Sequence, residues 1–215
     1  MESLSIEEAR DWYQDADPVH DFDHVLRVYR TAERLAKAEG ADLEIVRAAA
    51  LLHDSQGSAP GGEGEIRAAH HVTSAEFAGK VLSGKGWPED LIRAVQHCIL
   101  AHRFRGDENA PESIEAQVLF DADKLDVLGA IGAARTIAYA ALDGQPSYAE
   151  PSEKFLRTGE KELGEPHSSY HEFLFKLRRV KDRLFTESGK TLAEARHAYL
   201  VDFYSQLQAE VRGER

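Results

Sequence analysis

Apolar residues recur along this chain at steps of three and four. Phe22, Val25, Val28, Tyr29, Ala32, Leu35 and Ala36 form one such series, the buried stripe of an amphipathic helix. That helix starts near His20 or Asp21, and Gly40 ends it. Before it, Ser5-Ile6-Glu7-Glu8 has the form of a capping box and predicts a short helix reaching Tyr13, broken by Asp17-Pro18. After it, Asp42 can cap a third helix. Its Ala48-Ala49-Ala50-Leu51-Leu52 run is apolar nearly all round and so predicts deep burial.

The pattern continues as helices to the end. One carries His70 and His71 on to Gly84, and one starts at Trp87-Pro88 and runs to His102. A third opens at Pro111 or Ser113 and enters an aspartate cluster, after which residues 125–142 read as helical. Residues 143–166, rich in proline and glycine, predict a long excursion with one short helix around Phe155. Two further cap signatures, Ser169-Tyr170-His171-Glu172 and Thr191-Leu192-Ala193-Glu194, open the last helices. The final stripe reads as Leu192, Ala195, Tyr199, Phe203 and Leu207. No strand alternation stands out, so the expected fold is all-α. We expect one domain over residues 1–215, with a core at about 18–140 and a C-terminal helical extension at about 143–215.

Composition narrows the function. A net charge of −12 disfavours a nucleic-acid polymer as partner. A free nucleotide remains compatible, since a bound cation reverses the local field that a phosphate feels. The single cysteine, Cys98, allows no internal disulfide and reads as a small core residue. The opening Met1-Glu2-Ser3-Leu4-Ser5 lacks the form of a signal peptide. No apolar run approaches the roughly 20 residues of a membrane span. The expected location is the cytoplasm, with no membrane partner. Gly57 to Gly64 follows His53-Asp54 directly and has the composition of a loop, placed where a lid could sit. It is not a phosphate-cradling loop, because no strand precedes it and no Gly-Lys-Ser/Thr closes it.

The chemistry lies in an ordered set: His24, then His53-Asp54, then a carboxylate in Asp121-Ala122-Asp123-Lys124. Imidazole and carboxylate together suit a divalent cation of intermediate hardness. The competing reading is that these polar residues merely end helices.

The set resembles the HD-domain superfamily of metal-dependent phosphohydrolases. His20-Asp21-Phe22-Asp23-His24-Val25-Leu26-Arg27-Val28, Ala50 to Asp54, His71 to Ala75, Ile99 to Arg103 and Asp121 to Gly129 are similar to a small bacterial HD subfamily that includes nucleotide pyrophosphohydrolases. The resemblance implies that His24, His53, Asp54 and Asp123 hold one divalent cation. Mn²⁺ is foremost, with Fe²⁺, Co²⁺, Ni²⁺, Zn²⁺ and Mg²⁺ as the other candidates. It favours Asp123 over Asp121 and Asp126, which become supporting residues. The implied reaction is attack of a metal-activated water on phosphorus in a phosphate ester or anhydride, with a nucleotide as the small phosphorylated substrate and Asp54 as the catalytic carboxylate. His71 and His102 match pocket-lining positions, read as phosphate contacts in preference to a second ion. His20 either contacts phosphate or caps its helix, and Lys124 and the arginines 103 and 105 are cations near the motifs. His70 and His97 stay unassigned, while His167, His171 and His197 read as surface or packing residues. Ser55-Gln56-Gly57 after His53-Asp54, and the lack of a Gly-Tyr-Pro signature, exclude the cyclic-dinucleotide-degrading type. No synthetase segment supports a bifunctional alarmone enzyme. The alternative function is a non-catalytic metal- or nucleotide-sensing module.

Overall fold

The computed structural model describes residues 1–13, 22–57, 64–103 and 109–215. Among these there are ten α-helices and no strand, the all-α fold that the periodicity predicts. No single helix among them is long and apolar enough to cross a membrane. The chain divides into two compact units, Met1–Asp123 with Leu184–Gly189, and Lys124–Arg183 with Lys190–Arg215.

In the first unit α1 (Ile6–Arg10) is closed by a reciprocal capping box between Ser5 and Glu8. It gives way to a 3₁₀ turn at Asp11–Tyr13 rather than continuing as one helix. His20, Asp21 and the loop 58–63 lie outside the described residues. α2 (Phe22–Glu39) buries Phe22, Val25, Val28, Ala32, Leu35 and Ala36, the predicted stripe. α3 (Leu43–Leu52) starts where the Asp42 carboxylate accepts from the amides of Glu44 and Ile45 at 2.8 and 3.3 Å. Every residue from Ala48 to Leu52 is buried, because α3 packs against α2, α4 (Gly64–Gly84) and α5 (Glu89–Ala101). After Arg47 no polar residue follows until the end of the helix, where His53 and Asp54 leave it. α6 (Ile114–Leu125) is capped by the Ser113 hydroxyl, which accepts from the Ala116 amide at 3.2 Å.

The continuous helix expected at 125–142 is broken. α6 stops at Leu125, and α7 runs Gly129–Leu142. Gly129 has φ +71°, a left-handed conformation that glycine adopts without penalty.

In the second unit the excursion of residues 143–166 contains α8 (Glu153–Thr158), capped by Ser152. Glu165 fastens it: its carboxylate accepts from the Ser152 amide (2.7 Å), the Ser152 hydroxyl (2.8 Å), the Glu162 amide (2.6 Å) and His171 Nε2 (3.0 Å). α9 (Ser169–Phe175) is capped by Ser168, one residue earlier than the cap signature suggests, and Ser169 donates to the Ser147 carbonyl instead. α10 (Glu187–Val211) starts four residues before the expected Thr191. Its start belongs to the first unit, where the Thr186 hydroxyl caps it by accepting from the Gly189 amide at 3.0 Å and donates to Asp121 at 2.6 Å. The last stripe is also displaced. Ala193, Leu200 and Tyr204 are buried, and Tyr199 is exposed. Tyr204 stacks on Phe173 at 4.4 Å between centroids, and this contact sets the face of α10 turned inward in its unit.

Candidate metal centre

Four helix ends deliver the site. α3 supplies His53 as its C-cap, followed by Asp54, and α5 supplies His102 as its C-cap. The last carbonyls of a helix lack intrahelical donors, and both imidazoles use this. His53 Nδ1 lies 2.8 Å from the Ala50 carbonyl and His102 Nδ1 2.5 Å from that of Ile99. A carbonyl only accepts, so each Nδ1 carries the proton and each Nε2 is left with a lone pair. The capping role and the ligand role thus belong to the same side chains. His24 is buried near the start of α2, and Asp123 comes from the last turn of α6.

These donors converge without satisfying one another. The donor atoms of His24, His53 and Asp123 all lie within 4.8 Å of each other. His24 Nε2 stands 3.6 Å from Asp123 Oδ1 and 3.8 Å from Asp54 Oδ2, and His53 Nε2 stands 3.6 Å from the same Asp54 oxygen. Such distances are too long for hydrogen bonds. They approach the separation of about 3–3.5 Å expected between donors sharing one ion at 2.0–2.2 Å. His53 Nε2 is buried with no hydrogen-bond partner, a costly condition unless something else occupies the lone pair. Burial pushes the His53 imidazole down to about 4, so it is neutral at neutral pH, as a ligand must be. Burial opposes ionisation of Asp54, but the imidazoles of His53, His102 and His70 hold its carboxyl well below the usual carboxylate range. Two imidazoles and two carboxylates fit a divalent cation.

A second trio, Asp54, His70 and His102, also places its donors within 4.8 Å. Asp54 Oδ1 lies 3.0 Å from His70 Nε2 and 3.5 Å from His102 Nε2. His70 occupies the place at Asp54 that sequence reasoning left unassigned, whereas His71 is half-buried and stands outside both trios. Adjacent helical positions differ by about 100°, so the two neighbouring histidines point to different faces of α4. Arg103, one of the cations near the motifs, has Nη1 2.9 Å from His70 Nδ1.

The three aspartates separate cleanly. Asp121 is fully buried and accepts from the amides of Phe185 and Thr186 and from the Thr186 hydroxyl, at 2.6–2.9 Å. Asp126 pairs with Arg135. Asp123 is the one that faces His24. Lys124 begins the second unit and is half-buried. His20 and Arg105 lie outside the described residues. Tyr13, which the sequence does not single out, is buried and donates its hydroxyl to the Leu51 carbonyl at 2.9 Å, one position before the end of α3.

A family model described as HD domain matches residues 21–128. The chain is 32% identical to the uncharacterised protein YpgQ of Bacillus subtilis, over 99% of this chain and 96% of that protein. The crystal structure of B. subtilis YpgQ in complex with ADP superposes with a TM-score of 0.72 at 29% identity, covering 97% of this chain and 99% of that one. An HD-superfamily hydrolase from Bacillus thuringiensis does so with 0.70 at 30% identity, covering 96% and 94%. The matched span contains His24, His53, Asp54 and Asp123 together. On this sequence and structural likeness the chain belongs to the HD-domain family, with an HD-superfamily hydrolase fold and a His/Asp cluster suited to a divalent metal.

Proposed function

We propose that this protein is a phosphohydrolase that uses one divalent cation, Mn²⁺ foremost, to cleave a nucleotide phosphate ester or anhydride. The observation that carries the reading is the buried, unpartnered Nε2 of His53, within 4.8 Å of donor atoms of His24 and Asp123 and 3.6 Å from Asp54 Oδ2. His24, His53, Asp54 and Asp123 would hold the cation. Such an ion supplies Lewis-acid polarisation of a phosphoryl oxygen and makes water more acidic. The chain's own residues complete the site. Asp54 stays ionised and orients the attacking water through its free lone pairs. His102, with Nδ1–H tied to the Ile99 carbonyl, would accept on Nε2 the proton that the attacking water gives up, and would then offer that N–H to a phosphoryl oxygen. His20, His71 and Lys124 are the other proposed phosphate contacts. The nucleotide assignment draws support from the ADP held by YpgQ, a relative of nearly equal extent.

The test is a metal-free preparation assayed against nucleoside mono-, di- and triphosphates with each divalent metal, with the released anion identified. We expect turnover with Mn²⁺ and either phosphate or pyrophosphate as product. Absence of both anions with every metal and nucleotide would overturn the proposal.

A further inference from the structure

The histidines around Asp54 do not carry their protons alike. His53 and His102 give Nδ1–H to carbonyls of their own helices and turn bare Nε2 atoms to the site. For His70 the order is reversed. Its Nδ1 lies 2.9 Å from Arg103 Nη1. A guanidinium has only N–H groups to offer, so Nδ1 must accept, and the proton of the neutral ring sits on Nε2. That Nε2 stands 3.0 Å from Asp54 Oδ1, a buried oxygen that makes no hydrogen bond of good geometry. A protonated ring nitrogen has no lone pair for a metal. The turn after Asp54 seats the ring from the other side. A Cβ on Gly57 would stand 2.5 Å from His70 Cβ and 2.7 Å from its Cγ, so the backbone approaches His70 more closely than any other residue type allows.

We propose that Arg103 is a specificity-determining residue: it holds the His70 proton on Nε2, the atom facing Asp54, and so removes one lone pair from a second trio of potential metal donors and keeps the site to a single cation. The inference rests on the reading that His24, His53, Asp54 and Asp123 hold that cation. Its consequence is a division of labour on Asp54. Oδ1 faces the His70 N–H, and Oδ2 faces His24 and His53. Without Arg103, His70 is free to move its proton to Nδ1 and present a lone pair beside Asp54 Oδ1 and His102 Nε2, whose separations already suit a shared ion. Loss of the guanidinium charge favours a second cation as well. Arg103 and His70 are positioning residues here; neither is asked to touch the reacting atoms.

The experiment has a metal-free arm and a metal arm. In the metal-free full-length protein, long-range ¹H–¹⁵N correlation spectra of the imidazoles should show His70 with the proton on Nε2 and His53 and His102 with it on Nδ1. Titration with Mn²⁺, followed by the electron paramagnetic resonance of the free ion, should give one equivalent for the wild type and for Arg103→Lys, which still only donates. Arg103→Met should take two, with the second bound at least ten-fold tighter than any second ion in the wild type. His70→Gln keeps an N–H donor for Asp54 and should retain the single equivalent with affinity within about two-fold. The proposal is overturned if wild-type His70 carries its proton on Nδ1. It also fails if the wild type takes two equivalents, if Arg103→Met, folded by far-UV circular dichroism, still takes one, or if His70→Gln loses the first. Binding of no Mn²⁺ by the wild type would sink the cation reading, and the proposal with it. The tautomer spectra, recorded without metal, tell that failure from a wrong assignment of His70.

Discussion

Each unit contains a buried knot of histidine and carboxylate, and the two differ in how completely they are satisfied. In the second unit, His171 is fully buried, with Nδ1 2.7 Å from the Ser168 hydroxyl and Nε2 3.0 Å from Glu165. Glu165 accepts three more bonds from Ser152 and Glu162. Both ring nitrogens and the carboxylate have partners at bonding distance. In the first unit His24 and His53 stop 3.6–3.8 Å short of their carboxylates, and His53 Nε2 has no partner. A saturated network returns the cost of burying its polar atoms within the fold. An unsaturated one carries that cost until a ligand arrives. The same residue types therefore hold structure in one place and point to function in the other, with the unmet lone pair as the distinguishing mark.

The sharpest way to break this contrast is to remove one member from each knot. Asp54→Ala should lower cation affinity and turnover by at least about 100-fold, since it deletes a ligand and the anchor of the second trio. Its helical far-UV signal should stay. Retention of the cation at wild-type affinity would sink the ligand assignment. His171→Ala should do the reverse. It leaves Glu165 and Ser168 short of a partner in a buried place and should cost about 2–3 kcal/mol of stability, read by denaturant unfolding. Turnover per folded molecule should be unchanged. A loss of specific activity there would mean that the saturated knot serves the reaction too.

Acid should separate the knots a second time. In the metal-free protein, burial sets His53 at about 4 against an ordinary 6.5. The unfolded chain then binds that proton first, and stability contributed by neutral His53 falls as pH drops from 6.5 towards 4. Glu165 is held at about 2 against an ordinary 4.5, first by the Ser152 amide and also by the Glu162 amide and His171. Its contribution is complete above 4.5 and is lost as pH falls through that range to about 2. Hydrogen exchange of α3 amides should therefore quicken at higher pH than exchange of α9 amides, and Glu165→Gln should flatten the second step alone. Simultaneous loss of both, beginning below 4.5, would contradict the depressed His53.

Much of this was legible in the sequence where physics is local. The caps at Ser5, Asp42 and Ser113 and the stripe of α2 follow from neighbours three or four residues away. The burial of Ala48 to Leu52 follows from their having no polar face. What escaped depends on contacts across many residues. The start of α10 is set by Asp121, 65 residues before Thr186. The phase of its stripe is set by Phe173 against Tyr204, and the break after Leu125 by a left-handed Gly129 inside an otherwise helical pattern. At the site, the order of His24, His53-Asp54 and Asp123 was readable as a set. The choice of His70 over His71 beside Asp54 was not, because one step along a helix changes the face and nothing in the composition marks it.

The smallest effect tests how the unsaturated knot is held open. A lone pair can stay unmet only if the end of α3 cannot relax to satisfy it, and Tyr13 is placed to prevent that. Its hydroxyl donates to the Leu51 carbonyl, and its ring packs in a cluster with Ala9, Phe22, Val25 and Leu51. Phe22 and Val25 flank His24 on α2, so one aromatic ring braces the backbone behind two of the four proposed ligands. Tyr13→Phe keeps the ring and deletes the bond. The expected cost is about 1 kcal/mol in stability. If the hydroxyl fixes His53 through Leu51, cation affinity should also fall, by about three- to ten-fold, and the Co²⁺ spectrum of the loaded protein should broaden. If stability falls while affinity and spectrum stay as in the wild type, Tyr13 supports the core only, and His53 is held by its bond to Ala50 alone.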